Sequence, residues 1–347
     1  MKKIRLITFV MLCFLASIAD AQDIHFSQFY MSPLNLNPAL TGVMNCNSRI
    51  TANFRNQWAA VLRSNAYNTY AASYDQRIPV GRYDYVGIGG SLWGDRAGSS
   101  PYSQLSAKIS ASYSKRMGGY RKNANYLVVG VDAGVGQRSV DPSAFRWGSQ
   151  NNGGVYDATK PTLETFNQDN VIFPDISAGL LWFNTIDEDN NFYIGGAYHH
   201  LNRANIAFSN QKPDLLYSRF TMHAGGEFMI GDKWGLVPNV ILLLQGPSLE
   251  LNPGTSVKFL LGHSRYNYQA FHVGLWGRVA HKKDKGQLLD AAIFTTRFDY
   301  NNFTLGFSYD ANTSALRVAS PTNSSFEFSM QYKICGNERR NVYCPNF

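Results

Sequence analysis

The feature that most constrains the fold of this chain is the alternation of apolar and polar residues in its last strand-like segment. The apolar positions are Phe326, Phe328, Met330, Tyr332 and Ile334. The positions between them are Ser325, Glu327, Ser329, Gln331 and Lys333. Because successive side chains of a β-strand point to opposite faces, this pattern predicts a strand with one apolar face and one polar face.

The same alternation recurs along most of the region 49–334. It predicts fourteen strands near 49–59, 66–76, 83–93, 103–116, 125–136, 175–183, 192–200, 217–230, 234–244, 255–262, 268–279, 287–298, 302–310 and 324–334. A soluble β-sandwich could bury such apolar faces in a core. Many aromatic-rich strands on an exported chain indicate instead an all-β, antiparallel transmembrane β-barrel, with lipid outside and a polar lumen inside.

The first 21 residues have the features of a secretory signal. They comprise a basic start (Lys2, Lys3 and Arg5), an apolar run (6–18) and a small-x-small cleavage pattern (19–21). We therefore expect the mature chain to begin at Gln22. An uncleaved anchor helix is the alternative, but the apolar run is short for a membrane span.

Charge and motifs disfavour several functional classes. The net charge is +8, of which the signal carries +2, but scattered basic residues on an exported chain disfavour a nucleic-acid partner. No helix is predicted after Gly87–Gly90, so these glycines do not form a dinucleotide-binding loop. His199 and His200 are adjacent in a predicted strand and should face opposite sides, which is poor geometry for a metal. We therefore expect no enzyme activity, no cofactor and no metal site.

Residues 22–48 precede the first predicted strand and show no alternation. Two prolines and several asparagines predict an irregular segment, yet its aromatic content is too high for a disordered linker. The segment must pack on something, and we leave open whether it is a plug inside the lumen or a docking element. Its candidate partner contacts are Phe29, Tyr30, Pro33, Leu34 and Pro38.

A long connection, 137–174, follows the fifth predicted strand and should lie outside the cell, because odd-to-even connections are the outward loops. Connections of this length are usually functional or flexible. Its aromatic residues, which we predict to contact an exported protein, are Phe145, Trp147, Tyr156 and Phe166. The alternative is a simple lid over the barrel mouth.

Three cysteines remain after the signal. Cys46 comes just before the first strand, whereas Cys335 and Cys344 belong to the C-terminal tail 335–347. Barrel closure pairs the first and last strands antiparallel, which brings Cys46 near this tail. We predict a Cys46–Cys344 disulfide, with Cys335 as the second choice of partner. Three unpaired thiols or a local Cys335–Cys344 bridge are the alternatives.

Four stretches of the chain together resemble a known family. They are Gln28–Gly42, Phe54–Trp58, Phe145–Gln150 and Cys344–Phe347. In this order they are similar to the PorP/SprF family of the type IX secretion system. The one departure that we note is Phe54, which stands where the family commonly has tyrosine.

This resemblance implies a β-barrel in the outer membrane of a Bacteroidota-type bacterium, with a role in type IX secretion and gliding motility. SprF-like members support export and surface attachment of a large adhesin that carries a C-terminal secretion domain. PorP-like core members link the outer membrane to the periplasmic ring of the machinery. The partners implied are the adhesin, other secretion components and outer-membrane lipid. A passive porin or transporter is the alternative that the residue pattern alone allows.

Overall fold

The computed structural model describes residues 23–345 except 99–101, 121–122, 163–166, 188, 211, 265–266, 283–285, 314–324 and 337–343. The predicted signal, 1–21, lies outside the described residues. No helix in the described part of the chain is long and apolar enough to cross a membrane.

Sixteen strands are present in the described residues. They are β1 (Ser48–Gln57), β2 (Tyr67–Val80), β3 (Asp84–Ala97), β4 (Tyr102–Tyr120), β5 (Asn123–Ser139), β6 (Asn151–Asn152), β7 (Val155–Tyr156), β8 (Asn170–Thr185), β9 (Asn191–His199), β10 (Arg219–Met229), β11 (Trp234–Gln245), β12 (Ser248–Ser264), β13 (Asn267–Lys282), β14 (Gly286–Tyr300), β15 (Phe303–Asn312) and β16 (Ser325–Ile334). Strands β6 and β7 form a separate small hairpin.

The other fourteen strands form one closed antiparallel barrel. Strand β1 closes the barrel against β16 through ten residue pairs, from Ser48 opposite Ile334 to Gln57 opposite Ser325. The predicted fold and strand number are therefore confirmed. Strand β12 differs most from its prediction, 255–262, since it begins already at Ser248. The sequence missed its first half because Pro253 and Gly254 weaken the strand pattern there.

The alternation places apolar side chains on the outside of the barrel. Ile109 is 74% exposed and Leu275 is 68% exposed, whereas the polar residues between such positions are mostly buried. In water this outer surface would be a very large apolar patch. An apolar outer band around a polar interior is the arrangement of a barrel that spans a lipid bilayer.

The connections differ strongly in length between the two ends of the barrel. Those at the end where β1 begins and β16 ends contain two to five residues, whereas the long connections 58–66, 140–169 and 200–218 lie at the other end. Outer-membrane barrels have short periplasmic turns and longer extracellular loops. The start of β1 and the end of β16 therefore mark the periplasmic end, and the long connections, which we call the outer loops, face outward.

Helical structure in the described residues consists of short turns outside the barrel wall. Three turns follow one another in the N-terminal segment, at Phe29–Met31, Pro33–Leu36 and Pro38–Leu40. The outer loops contain four more turns, at Ala59–Leu62, Arg63–Asn65, Pro142–Ala144 and Gly148–Gln150.

The N-terminal segment lies inside the barrel, and we call residues 23–44 the luminal segment. Met31, Leu40 and Val43 are fully buried, and they pack in one apolar cluster with inward-facing side chains of the wall. The apolar core of the molecule thus lies between the luminal segment and the barrel wall. The rest of the interface is polar.

The disulfide joins Cys46 to Cys335, so the first-choice pairing with Cys344 is wrong and the second choice is the observed one. The barrel register explains this, because the Asn47 amide donates to the Ile334 carbonyl (3.0 Å) and thereby aligns the residues just outside β1 and β16. Cys344 is a buried free thiol, with its Sγ 3.3 Å from the Tyr85 hydroxyl. Burial raises the pKa of this thiol.

We expect a non-reducing digest to contain one peptide pair joined through Cys46 and Cys335. The crosslinked residues are 289 positions apart, and a loop of this size corresponds to about 6 kcal/mol in the chain-entropy model. Cys335→Ala should therefore lower the denaturant midpoint in detergent micelles, because the crosslink is lost. Cys344→Ala keeps the bond and serves as the matched control. A peptide joined through Cys46 and Cys344 would contradict this pairing.

Candidate functional site

The luminal segment runs through the lumen from its outer half to its periplasmic end. At the outer end, the Asp23 amide donates to Oε1 of Gln245 (2.9 Å), the last residue of β11. At the inner end, Nη1 of Arg77 donates to the Met44 carbonyl (2.8 Å). Ionised side chains of the wall hold the segment at three levels, which we call the outer, middle and inner anchors.

The outer anchor is a buried cluster around His200. One ring nitrogen of His200 contacts the Asp23 carboxylate, and the other lies 2.8 Å from Oδ1 of Asp175 on β8. Lys108 on β4 extends the cluster, with its Nζ 2.9 Å from Asp175 and 3.2 Å from Asp132 on β5. The outer anchor therefore joins the start of the luminal segment to three neighbouring wall strands.

His200 corrects one expectation from the sequence. Strand β9 ends at His199, and His200 has a left-handed φ of +58°. This turn of the backbone directs both imidazoles inward, so the two side chains are buried together instead of facing opposite sides. His199 contacts the Leu36 carbonyl at 3.3 Å and thereby supports the luminal segment as well.

The middle anchor uses two carboxylates of the last strands. Glu327 on β16 accepts the backbone N–H groups of Ser27 (2.6 Å) and Gln28 (3.0 Å). The Ser27 hydroxyl donates to Asp310 on β15 (2.8 Å). Arg55 on β1 pairs with Glu327 at 3.0 Å. Arg55 also lies 3.6 Å from Asp310. Each carboxylate therefore has a cation and a group of the luminal segment as partners.

The inner anchor is an ion pair between β1 and β2. Arg49 and Asp75 are fully buried and lie 2.8 Å apart. The Gly42 amide donates to Asp75 (2.7 Å), and Arg49 donates to the Leu40 carbonyl (3.1 Å). Because a buried ion pair is stable only when its remaining donors and acceptors are bonded, the luminal segment and this pair stabilise each other.

Glycines of the wall let the backbone of the luminal segment approach closely. A Cβ at Gly130 on β5 would lie 2.4 Å from the Ala39 nitrogen, and one at Gly87 on β3 would lie 2.1 Å from the Thr41 carbonyl oxygen. Real Cβ atoms do not approach other atoms this closely, so either substitution would force the backbone of the segment to move. This part of the wall is therefore shaped to fit the segment.

We expect Gly130→Val to displace the luminal segment. The new side chain would overlap the backbone at Ala39, and limited proteolysis in detergent should then cleave within 23–44. Gly90→Val is the matched control, since the nearest atom to a Cβ there is 3.5 Å away. Equal protection of the segment in both variants would show that the close packing does not hold it.

The predicted partner contacts of the N-terminal segment are not on the surface. Phe29, Tyr30, Pro33, Leu34 and Pro38 are all buried, and the Phe29 ring packs edge-on against Trp276 at 5.7 Å. A protein partner could reach them only after the segment leaves the lumen. Partner binding through these residues therefore stays a prediction.

Two outer loops pack together above the barrel mouth. In the loops 140–169 and 200–218, the Asn167 amide donates to the Phe208 carbonyl (3.1 Å). A small apolar cluster of Val171, Phe173, Ile206 and Leu216 lies beneath them. This cluster attaches both loops to the ends of the wall strands.

The loop 140–169 carries half-buried and exposed aromatic side chains. The Phe145 and Trp147 rings meet edge-on at 5.2 Å, and the Arg146 guanidinium lies 5.1 Å from the centre of the Tyr156 ring. On the β6–β7 hairpin, Val155 is 69% exposed and Tyr156 is 41% exposed. Phe166, the fourth predicted aromatic, lies outside the described residues.

Sequence reasoning missed the three anchors. Alternation places Glu327 on the polar face of its strand, but nothing in the sequence pairs it with Ser27. Asp23 and His200 carry no local signal at all, because their contact depends on the path of the luminal segment. Among the described residues, no group of three or more His, Cys, Asp or Glu side chains could hold a metal ion.

The apolar outer band, the charged lumen and the closed fourteen-strand sheet define an outer-membrane β-barrel. The chain belongs to the PorP/SprF family, because the model of the type IX secretion system membrane protein PorP/SprF matches residues 18–332. It is therefore an outer-membrane component of type IX secretion, as the four sequence stretches predicted. No curated protein matches this chain.

Several solved barrels are distantly similar. The toluene transporter TbuX of Ralstonia pickettii is 12% identical, with 88% of this chain and 93% of that chain covered and a TM-score of 0.47. The toluene transporter TodX of Pseudomonas putida is 7% identical, with 89% and 93% covered and a TM-score of 0.43. A bacterial polysaccharide outer membrane secretin is 9% identical, with 84% and 99% covered and a TM-score of 0.37. No conclusion about function follows from likenesses this distant.

Proposed function

We propose that this protein is a non-enzymatic, SprF-like accessory barrel that supports export and surface attachment of a large adhesin during type IX secretion and gliding motility. The adhesin would dock through its C-terminal secretion domain on the outer loop 140–169. The observation that carries this proposal is the division of the molecule into a filled lumen and an exposed aromatic surface at the outward end.

The filled lumen makes a passive porin the weaker alternative. Backbone groups at Ser27, Gln28 and Gly42 bond directly to buried carboxylates of the wall. A segment held in this way occupies the space through which a solute would pass. We therefore propose that the luminal segment acts as a plug, and that the protein works through surfaces and not through an open channel.

The surface of the loop 140–169 has the residue types that dominate protein–protein interfaces. Binding energy concentrates in Trp, Tyr and Arg side chains that a partner buries. On the loop 140–169, Arg146 packs over the Tyr156 ring beside the exposed Val155, and the half-buried Trp147 packs on Phe145. This mixture supports adaptable contact with an exported chain at the cell surface.

A core role, linking the membrane to the periplasmic ring, would use the opposite end of the barrel. Tyr83 and Trp234 are exposed there. Aromatic residues at this height also form the girdle that contacts lipid headgroups in barrels of this class. The periplasmic end therefore supports the core role less specifically than the outer loops support docking.

We expect the double variant Arg146→Ala/Tyr156→Ala to assemble in the outer membrane while the adhesin is lost from the cell surface. Loss of one interface hot spot weakens binding by about tenfold or more. Antibody labelling of the adhesin on intact cells measures the effect. Leu201→Ser, which changes an exposed residue of the other outer loop, is the control. Normal adhesin levels in the double variant, or after deletion of most of 150–168, would exclude this docking surface.

A further inference from the structure

The His200 side chain is held between two acceptors. Its Nδ1 lies 2.8 Å from a carboxylate oxygen of Asp175, and its Nε2 contacts a carboxylate oxygen of Asp23. A neutral imidazole carries one N–H and can donate to only one of two ionised carboxylates. Both contacts are hydrogen bonds only when His200 carries protons on both nitrogens, that is, when it is charged.

The charges around His200 balance only in that state. Three carboxylates face the site, from the luminal segment (Asp23), β5 (Asp132) and β8 (Asp175). The cations are Lys108 on β4, Arg219 on β10, whose Nη1 lies 3.5 Å from Asp23, and His200 itself. The neighbouring histidine, His199 on β9, contacts the Leu36 carbonyl. With His200 neutral, the cluster would hold one unpaired negative charge, which is costly in a buried site.

We propose that His200 is a proton-binding latch that fastens the outer end of the luminal segment to the barrel wall. When His200 is charged, it bridges Asp23 and Asp175 and holds the segment. When His200 is neutral, one of the two bonds is lost and the outer end of the segment loosens. The middle anchor, which begins at Ser27, and the inner anchor do not include His200, so residues from Ser27 onward stay in place.

The direction of the pH dependence follows from the surroundings of His200. Burial opposes its charged form, but the Asp23 and Asp175 carboxylates outweigh burial and raise the pKa of His200 above its ordinary value. The latch is therefore complete below the ordinary histidine pKa near 6.5, and it is lost as pH rises through the raised pKa. Burial would raise the pKa of Asp23, yet His200 and Arg219 lower it, so Asp23 stays ionised throughout this range.

The latch also lies where an outer loop begins. His200 is the first residue of the loop 200–218, and the Ser218 hydroxyl donates to the His200 carbonyl (3.2 Å) at the other end of that loop. The Leu201 amide donates to the Ile176 carbonyl on β8 (2.9 Å). The same residue therefore fastens the luminal segment and closes the base of an outer loop. This inference does not depend on the proposed partner.

Hydrogen exchange of the detergent-purified full-length protein, followed by mass spectrometry on a peptide covering 23–26, tests the latch. After correction for intrinsic exchange, the protection of this peptide should fall by about tenfold for each pH unit between the ordinary and the raised histidine pKa. Protection of a peptide around Gly42 should not change. In His200→Gln, which cannot carry the charge, the pH dependence of the 23–26 peptide should disappear.

The control is His272→Gln, which removes another buried luminal histidine that pairs with Asp299 and not with the luminal segment. This variant should keep the wild-type pH dependence. Heat-modifiable migration on gels shows that each variant has assembled, and Asp175→Asn gives a second test by removing one carboxylate of the latch. A pH dependence that persists in His200→Gln, or a wild-type peptide whose protection is constant between pH 6 and 10, would overturn the proposal.

Discussion

The structure depends on ionised side chains of the lumen that bond to the luminal segment. A closed sheet of fourteen strands encloses a space wider than wall side chains alone can fill. Asp75 and Glu327 each pair with an arginine of the wall and also accept hydrogen bonds from the luminal segment. Asp23 belongs to the segment itself and pairs with His200. Without the segment, Asp75 and Glu327 would lose hydrogen bonds that offset the cost of their burial.

This arrangement separates two tasks along the axis of the barrel. The periplasmic end is fixed by the Cys46–Cys335 bond and by the Arg49–Asp75 pair. The outward end carries the long loops, whose bases meet the outer anchor at His200. The proposed docking of an exported chain needs a stable wall below an adaptable surface. The three anchors stabilise the wall, and we propose that the loop 140–169 is the adaptable surface.

The fold was predictable because one face of nearly every wall strand is apolar, and a period of two survives even in strands that contain glycine. Strand β12 was underestimated because Pro253 interrupts that pattern. The sequence predicted that Cys46 bonds to one of the two tail cysteines, because barrel closure brings it near both. Only the register between β1 and β16 shows that the partner is Cys335 and not Cys344. The outer anchor could not be predicted, because Asp23 and His200 are separated by most of the chain and meet through the path of the luminal segment.

The central claim, that the luminal segment closes the lumen, is tested most directly by single-channel recording in planar bilayers. The wild-type protein should give no large, stable conductance steps, and a variant lacking residues 23–42 should give them, because the deletion removes all three anchored contacts. A variant lacking 151–162 of the outer loop should remain closed. Large, stable steps from the wild-type protein, equal to those of the 23–42 deletion, would contradict the account.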